Sequence, residues 1–168
     1  MNPDEYDHLR RRTFWLMPSG IYLIGSRAGE QRNLMTANWV TQVAREPKLL
    51  GVSVERDAFT HDLIERSQAF AVSIVDRADR TVIRKFVKPV AVTDDGATLN
   101  GVACATAPTS GAPVLGSALG FLDCRLERTV ELGSHTLFVG EVVDAHLRPD
   151  AADAEVLRME DTRMNYGG

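Results

Sequence analysis

The sequence contains few residues of the kinds that build metal centres. It has only two cysteines among 168 residues, Cys104 and Cys124, and neither belongs to a CxxC pair. A structural zinc site needs clustered Cys and His ligands, and the four histidines do not cluster with these thiols. No metal site is therefore expected, and both cysteines are predicted to be reduced, partly buried thiols.

Long hydrophobic runs and an excess of positive charge are also missing. No apolar run approaches the roughly 20 residues that a membrane helix needs. The N-terminal segment MNPDEYDHLRRRTFW has no long apolar stretch after its basic residues, unlike a signal peptide. The formal net charge is −4, which disfavours bulk attraction to nucleic acid or to an anionic membrane. The sequence therefore predicts a cytoplasmic protein without nucleic-acid or membrane partners.

Several enzyme signatures are absent as well. The chain has neither GxGxxG nor GxxxxGK[ST], so the usual nucleotide fingerprints are lacking. Its serines lack the GxSxG context of a hydrolase nucleophile, and its carboxylates form no convincing acid-base pair. A hydrolase is not expected.

The composition that remains is that of an ordinary globular domain. Hydrophobic residues make up 44% and charged residues 25% of the chain, as in a soluble protein with one core. We expect a single domain over residues 1–168, with an N-terminal arm at 1–14 and a C-terminal tail at 150–168. Residues 2–14 are predicted to form a short helix or an ordered arm.

Apolar periodicity predicts about six or seven strands and only short helices. Because the strands follow one another directly or across short helices, without a regular βαβ rhythm, the pattern favours a mainly β fold, an antiparallel barrel. The predicted long strands cover residues 20–27, 34–44, 48–55, 70–75, 119–132 and 135–147. Gly133 and Ser134 are predicted to form a hairpin turn between the last two. Residues 90–118 are predicted to be mainly loop, with one short strand near GVACAT.

Three helices are predicted. The first covers 60–68, with Thr60 as its N-cap. The second covers 76–87, with Val82, Ile83, Phe86 and Val87 facing the core. The third is a short helix within 150–158.

The segment NLMTANWVTQ, residues 33–42, has more hydrogen-bonding side chains than a core strand needs. If it is one strand, its side chains alternate between two faces, and neither face is purely apolar. Asn and Thr side chains could form hydrogen bonds with the donors and acceptors on the edge of a flat heterocycle, and Trp39 could cover the face of that heterocycle. The alternative is an ordinary edge strand with a polar face.

Three further places hold candidate ligand-binding groups. In VERDAFTHDLI, Arg56 precedes a turn that ends at Thr60, and a guanidinium beside a helix N-terminus suits a phosphate. In GSHTLFVGEV, His135 begins an apolar strand and could donate to a ligand. RKFVKP adds Arg84, Lys85 and Lys88. The alternatives are a capped helix with a solvated Arg, a structural His, and the solvated side of a helix.

Taken in order, these segments resemble the flavin reductase-like, FMN-binding split-barrel family. The resemblance runs from about Met17 to His146 and is carried by LMTANWVTQVAREPKLLGVSVERDAFTHDLIERSQAFAVSIV, GAPVLGSALGFLDCRL and GSHTLFVGEV. It implies a Greek-key-like split β-barrel and a homodimer that binds FMN, or FAD in some members, with NAD(P)H as co-substrate. This chain departs from many relatives at Ser73, where they have Asn, and over residues 90–112.

The resemblance also implies roles for individual residues. His135 would lie near the flavin ring, where a nicotinamide could stack, and is the candidate catalytic residue. Tyr166 would be a C-terminal aromatic that touches the flavin. The other implied cofactor-binding residues are Asn33, Thr36, Ala37, Asn38 and Trp39 at the ring or ribityl side, Ser53, Arg56, Phe59 and Thr60 around the ribityl chain and phosphate, and Lys85 or Lys88.

The expected function is an NAD(P)H-dependent flavin reductase that passes a hydride from nicotinamide to flavin N5. Its reduced flavin would serve a partner such as a monooxygenase. Two alternatives stay open: an FMN-retaining electron-transfer flavoprotein that meets a redox-protein partner, and a flavin-free split-barrel binding dimer.

Overall fold

The computed structural model describes residues 2–91, 93–94 and 97–167. Predictions that fall on Met1, Val92, Asp95, Gly96 and Gly168, at the chain ends and in the 90–118 loop, lie outside these residues. Within the described ranges no helix is long and apolar enough to span a membrane.

The helices and strands are α1 Pro3–Phe14, β1 Tyr22–Ala28, β2 Gln31–Ala37, β3 Val40–Ala44, β4 Leu49–Glu55, α2 Phe59–Ser67, β5 Ala69–Ile74, β6 Thr93–Asp94, β7 Thr98–Leu99, β8 Val102–Thr106, β9 Pro113–Leu115, β10 Gly120–Leu132 and β11 His135–Leu147.

The main sheet has seven antiparallel strands in the order β2-β1-β5-β10-β11-β4-β3. Its two edge strands, β2 and β3, are consecutive in the chain and are separated only by Asn38 and Trp39. A two-residue link cannot reach across a flat seven-stranded sheet, so the sheet curls until its edges approach at this turn. The described residues show no hydrogen-bonded pairing between β2 and β3. The prediction of a mainly β, antiparallel split barrel is confirmed.

The prediction of one strand over residues 34–44 is wrong. Residues up to Ala37 pair with β1, whereas residues from Val40 pair with β4 at the opposite edge of the sheet. The backbone N–H of Ser53 donates to the Trp39 carbonyl at 3.0 Å and fixes the turn against β4. A single strand cannot pair at both edges, so the side-chain alternation stops before Asn38.

Three helix predictions also need correction. α2 begins at Phe59 after Ala58, which makes no side-chain cap, so Thr60 lies in the first turn and is not the N-cap. Residues 76–87 form two 3-10 turns, Arg77–Asp79 and Val82–Phe86. Val87 follows the second turn, is 54% exposed and does not face the core. Where a short helix was predicted within 150–158, the structure has a single 3-10 turn, Ala151–Asp153, and a second 3-10 turn follows at Met159–Asp161.

The segment predicted mainly as loop, residues 90–118, carries more strand than expected. A second sheet, in the order β6-β7-β8-β9, lies against the barrel. Gly25 contacts the Pro113 carbonyl so closely that a Cβ would not fit. The buried carboxylate of Asp123 accepts hydrogen bonds from the Thr109 and Ser110 amides at 2.7 and 3.1 Å. These contacts fix the segment, because a buried charge is stable only when it is hydrogen-bonded.

Two main groups of apolar side chains form the core. One contains Ile24, Val52, Phe70, Val72 and Phe138, contributed by four strands of the main sheet. The other joins β1 and β2 to the Val82–Phe86 turn and, through Leu157, to the C-terminal tail. The tail is therefore part of the packed structure and can carry site residues.

Gly140 lies where β11 passes closest to this core. A Cβ at this position would be 2.8 Å from the Phe70 ring and 2.9 Å from Cys124 Cβ. We expect Gly140→Ala to lower the free energy of unfolding by about 1–3 kcal/mol through overpacking. Urea denaturation measures this. The control is Ala145→Gly at an exposed position of β11, which should cost no more than about 1 kcal/mol. Equal or greater stability of Gly140→Ala would contradict the tight packing.

Candidate functional site

Two cavities adjoin each other at the turn between β2 and β3. The smaller one, about 300 Å³, lies between this turn, the end of β4, the first turn of α2 and Lys88; we call it the helix cavity. The larger one, about 890 Å³, lies between the turn, residues 14–22 and the C-terminal tail; we call it the tail cavity. Four residues line both cavities: Asn38, Trp39, Ser53 and Tyr166.

Trp39 is packed between two other rings. The His135 ring lies 4.9 Å from it at 60°, and the Tyr166 ring lies 5.3 Å from it at 54°. These are the edge-to-face and tilted arrangements that aromatic pairs prefer. The shared wall of the two cavities is therefore an aromatic surface made by Trp39 and Tyr166, with His135 in contact with Trp39.

The C-terminal tail is held against this wall by Gly167. Its backbone has φ +81° and lies so close to the Trp39 ring that a Cβ would overlap it. The Trp15 indole N–H donates to the Gly167 carbonyl at 2.8 Å. The beginning and the end of the chain thus meet beside the tail cavity.

Asn38 carries a hydrogen-bonding atom that the protein does not use. Asn38 is 7% exposed, and its Oδ1 is buried without a partner among the described residues. An unpaired buried acceptor costs about 1–3 kcal/mol, which a ligand N–H can recover. Because Asn38 lines both cavities, the site fits a flat polar heterocycle with an N–H on its edge, such as a flavin ring.

The polar side chains of Asn33 and Thr36 instead form hydrogen bonds within the protein. Asn33 is 2% exposed, donates from Nδ2 to Thr60 Oγ1 at 2.9 Å and accepts from the Val90 amide at 2.8 Å. Thr36 Oγ1 donates to the Ile83 carbonyl at 2.7 Å. Asn33 thus ties β2 to α2 and to the segment after Lys88, and it positions the walls of the helix cavity.

The first turn of α2 faces the helix cavity. Asp57, Ala58, Phe59 and Thr60 line it, and Lys88 lies among the lining residues. The first amides of a helix have no intrahelical partners, and the helix dipole favours an anion there. Together with the Lys88 ammonium, this end of the cavity suits a phosphate, although the Asp57 carboxylate in the same lining has the same sign of charge as a phosphate.

Most of the predicted cofactor-binding residues come together, but two of them, Arg56 and Lys85, and the predicted catalytic residue His135 line neither cavity. Arg56 points to the hairpin, 3.5 Å from the Gly133 carbonyl and 3.9 Å from Glu131. Lys85 accepts from Asn100 Nδ2 through its backbone carbonyl and lies away from the lining. His135 lies behind Trp39, with its Nε2 buried and unpartnered among the described residues. The helix cavity is lined by Asn33, Thr36, Ala37, Asn38, Trp39, Ser53, Phe59, Thr60, Lys88 and Tyr166.

The sequence predictions missed most of the tail cavity. Its walls include Phe14, Trp15 and Met17 from the end of α1, and Tyr22 and Leu137 from the barrel. The run FWLM at residues 14–17 could have indicated this cavity, because four consecutive large apolar residues beside an exposed arm are typical of a binding surface.

The two cysteines are separate from the two cavities. Both cysteines are free and lie outside the two cavities. Burial, with a smaller effect of the Asp123 charge, raises the pKa of Cys124 to about 12, and burial also raises the pKa of Cys104. No group of three or more His, Cys, Asp or Glu side chains in the described part of the chain could hold a metal ion.

The fold and the site together define a split-barrel protein whose cleft has an aromatic wall beside the first turn of a helix. Residues 13–167 match the family described as "Flavin reductase like domain", and the chain belongs to this family. An "NADH-dependent FAD reductase" of Streptomyces globisporus is 34% identical over 138 residues, which are 80% of this chain and 73% of that protein.

Two solved structures extend the comparison. The Streptomyces globisporus C-1027 NADH:FAD oxidoreductase SgcE6, in complex with NAD and FAD fragments, has a TM-score of 0.78 and 30% identity, over 94% of this chain and 90% of that one. The styrene monooxygenase flavin reductase of Pseudomonas putida S12 has a TM-score of 0.69 and 26% identity, over 83% and 87%.

Tyr166 provides a test of the wall that is independent of any ligand. Burial, and secondarily the charge of Glu55, raise the pKa of its phenol above the ordinary value of 10.0. The neutral phenol is favoured in the folded state, so its stabilising contribution is full below the unfolded pKa and is lost as pH rises through the folded pKa. In an ultraviolet titration, the tyrosine ionisation that disappears in Tyr166→Phe should therefore have a pKa above 10.0, and Glu55→Gln should lower that pKa. If the ionisation that disappears has a pKa at or below 10.0, Tyr166 is not held in this wall.

Proposed function

We propose that the protein is an NAD(P)H-dependent flavin reductase that binds FMN, with FAD as the alternative flavin. The observation that carries the proposal is the pair of adjoining cavities that share Asn38, Trp39, Ser53 and Tyr166. Hydride transfer needs a donor ring and an acceptor ring held in contact, and two cavities with a common wall suit that requirement. The printed names of the relatives, which include NADH and FAD, support the same reaction class.

In this proposal the flavin supplies the hydride-accepting chemistry, and the protein supplies binding, orientation and electrostatics. Asn38 Oδ1 accepts a hydrogen bond from the polar edge of the ring, and Trp39 covers part of the ring surface. The first amides of α2 and Lys88 bind the phosphate. Tyr166 closes the space between the cavities and limits the entry of water.

His135 acts through Trp39 in this proposal. Its ring contacts the Trp39 ring at 4.9 Å and lines neither cavity, so it would act by fixing the orientation of the indole. It is therefore a positioning residue, and its effect should fall on the geometry of hydride transfer more than on flavin affinity.

The proposal also covers the domain organisation, the oligomeric state, the flavin, the partner and the location of the protein. The single domain over residues 1–168, the homodimer and the choice of FMN rest on the family resemblance. A partner monooxygenase is suggested by the flavin reductase of styrene monooxygenase. The cytoplasmic location stays a prediction.

Steady-state turnover tests the reaction. Purified protein with NADH or NADPH should oxidise the nicotinamide when free FMN or FAD is added, and the rate should be higher with FMN. Faster turnover with FAD would replace FMN by FAD in the proposal. A protein that keeps a bound flavin but oxidises neither nicotinamide would be an electron carrier, and one that takes up no flavin would be a binding dimer.

Asn38 and His135 should separate binding from chemistry. Asn38→Ala removes the unpaired acceptor and should weaken flavin affinity about five- to tenfold, the effect of one hydrogen bond of about 1 kcal/mol. Flavin fluorescence quenching measures the affinity. Gln42→Ala, at an exposed position on β3 outside both linings, is the matched control and should bind as the wild type does.

His135→Ala should instead slow reduction of the bound flavin more than it weakens binding. Stopped-flow mixing with NADH or NADPH separates the two effects. A wild-type reduction rate in His135→Ala would refute its positioning role, and an unchanged affinity in Asn38→Ala would refute the proposed contact with the ring.

A further inference from the structure

The helix cavity carries more negative than positive charge, although it is the cavity that suits a phosphate. Glu55 and Asp57 both line it, and among the described residues in its lining Lys88 is the one basic side chain. A phosphate monoester has a charge of about −1.5 to −2 near pH 7. Two of the three charged side chains in this lining therefore repel the group that the helix end and Lys88 attract.

The two carboxylates are not neutralised by neighbouring side chains. Within the part of the chain that the structure describes, neither Glu55 nor Asp57 forms an ion pair or a side-chain hydrogen bond. Arg56 lies between them in the chain, but its guanidinium points to the Gly133 carbonyl at 3.5 Å and to Glu131 at 3.9 Å. The repulsion of the two carboxylates is therefore reduced only by solvent and by Lys88.

The two carboxylates act on different parts of the cavity. The charge of Glu55, after the larger effect of burial, raises the pKa of the Tyr166 phenol, and Tyr166 lines the same cavity. Asp57 comes immediately before Ala58, the residue that precedes the first turn of α2. One negative charge thus reaches the Tyr166 side of the cavity, and the other lies beside the free amides of the helix.

We propose that Glu55 and Asp57 are specificity-determining residues that lower the affinity of the helix cavity for the phosphate of a flavin. FMN is then bound by only a small margin more tightly than riboflavin, which has the same ring and ribityl chain without the phosphate. This inference rests on the proposed flavin-binding function. It assigns to the two carboxylates the opposite effect from that of Lys88 and the first amides of α2.

This charge arrangement has a consequence for the proposed reaction. A phosphate that is attracted by one side chain and repelled by two leaves the cavity faster than a phosphate in a purely basic site, because most differences in affinity between related complexes lie in the dissociation rate. Glu55 and Asp57 therefore favour a flavin that exchanges between turnovers over one that stays bound.

A purely structural role for Asp57 predicts the opposite result. An acidic residue at the start of a helix stabilises that helix through its dipole. If Asp57 served only this purpose, its neutralisation would loosen the first turn of α2 and weaken the binding of FMN and riboflavin alike. The sign of the change in FMN affinity therefore separates the two roles.

The ratio of the riboflavin Kd to the FMN Kd tests the proposal. Fluorescence quenching at low ionic strength near neutral pH measures both constants. Glu55→Gln and Asp57→Asn should each raise the ratio about three- to fivefold, the effect of removing one exposed charge about 8 Å from a dianion. The double variant E55Q/D57N should raise it about tenfold and release FMN correspondingly more slowly. Added salt should shrink these differences, because it screens exposed charges.

Two control variants complete the design. Lys88→Gln should lower the ratio about three- to fivefold, because it removes the attraction and leaves the repulsion. Glu30→Gln changes the net charge by the same amount as Asp57→Asn, but Glu30 lies in the turn between β1 and β2, outside the cavity lining. It should keep the wild-type ratio.

The inference is overturned if E55Q/D57N has the wild-type ratio, or if it releases FMN as fast as the wild type does. Equal weakening of FMN and riboflavin binding in Asp57→Asn would also overturn it, in favour of the structural role. Failure of the proposed function gives a different result, because the wild-type protein would then bind neither FMN nor riboflavin.

Discussion

The structure depends on one constraint: two residues connect strands that lie at opposite edges of the same sheet. Because Asn38 and Trp39 must bridge β2 and β3, the seven-stranded sheet has to curl and stop short of closing. The split that results is where both cavities lie. The same two residues that force the sheet to curl also form the wall between the cavities.

The polar side chains around this turn divide into two groups with different uses. Asn33 and Thr36 are hydrogen-bonded within the fold and hold α2 and the Val82–Phe86 turn in place. Asn38 keeps a buried acceptor without a partner among the described residues, at a position that lines both cavities, so a ligand N–H could complete it. The surplus of Asn and Thr in NLMTANWVTQ thus serves both the architecture and the site.

Sequence reasoning could find the long hairpin, most strands and the family, because these depend on local periodicity and motif order. It could not find the break at Asn38, since both halves of 34–44 have strand composition and pairing partners are not visible in the chain. Thr60 looked like a cap but is buried beside Asn33, which is a tertiary effect. Lys88 lines the helix cavity and Lys85 does not, because Lys88 follows the Val82–Phe86 turn whereas Lys85 lies within it. The tail cavity is lined by residues about 150 positions apart in the chain, as the Trp15–Gly167 hydrogen bond shows, and such a contact is not visible in the sequence.

The contact of Gly167 with Trp39 has a consequence for exchange of bound molecules. Tyr166 and Gly167 are held by the Trp39 ring and the Trp15 indole, without the strand ladders that hold the barrel. A segment held by so few contacts opens locally at a lower free energy than paired strands. Opening of this segment would move Tyr166 out of the shared wall and join the two cavities into one cleft, and hydrogen exchange in the segment would report the rate.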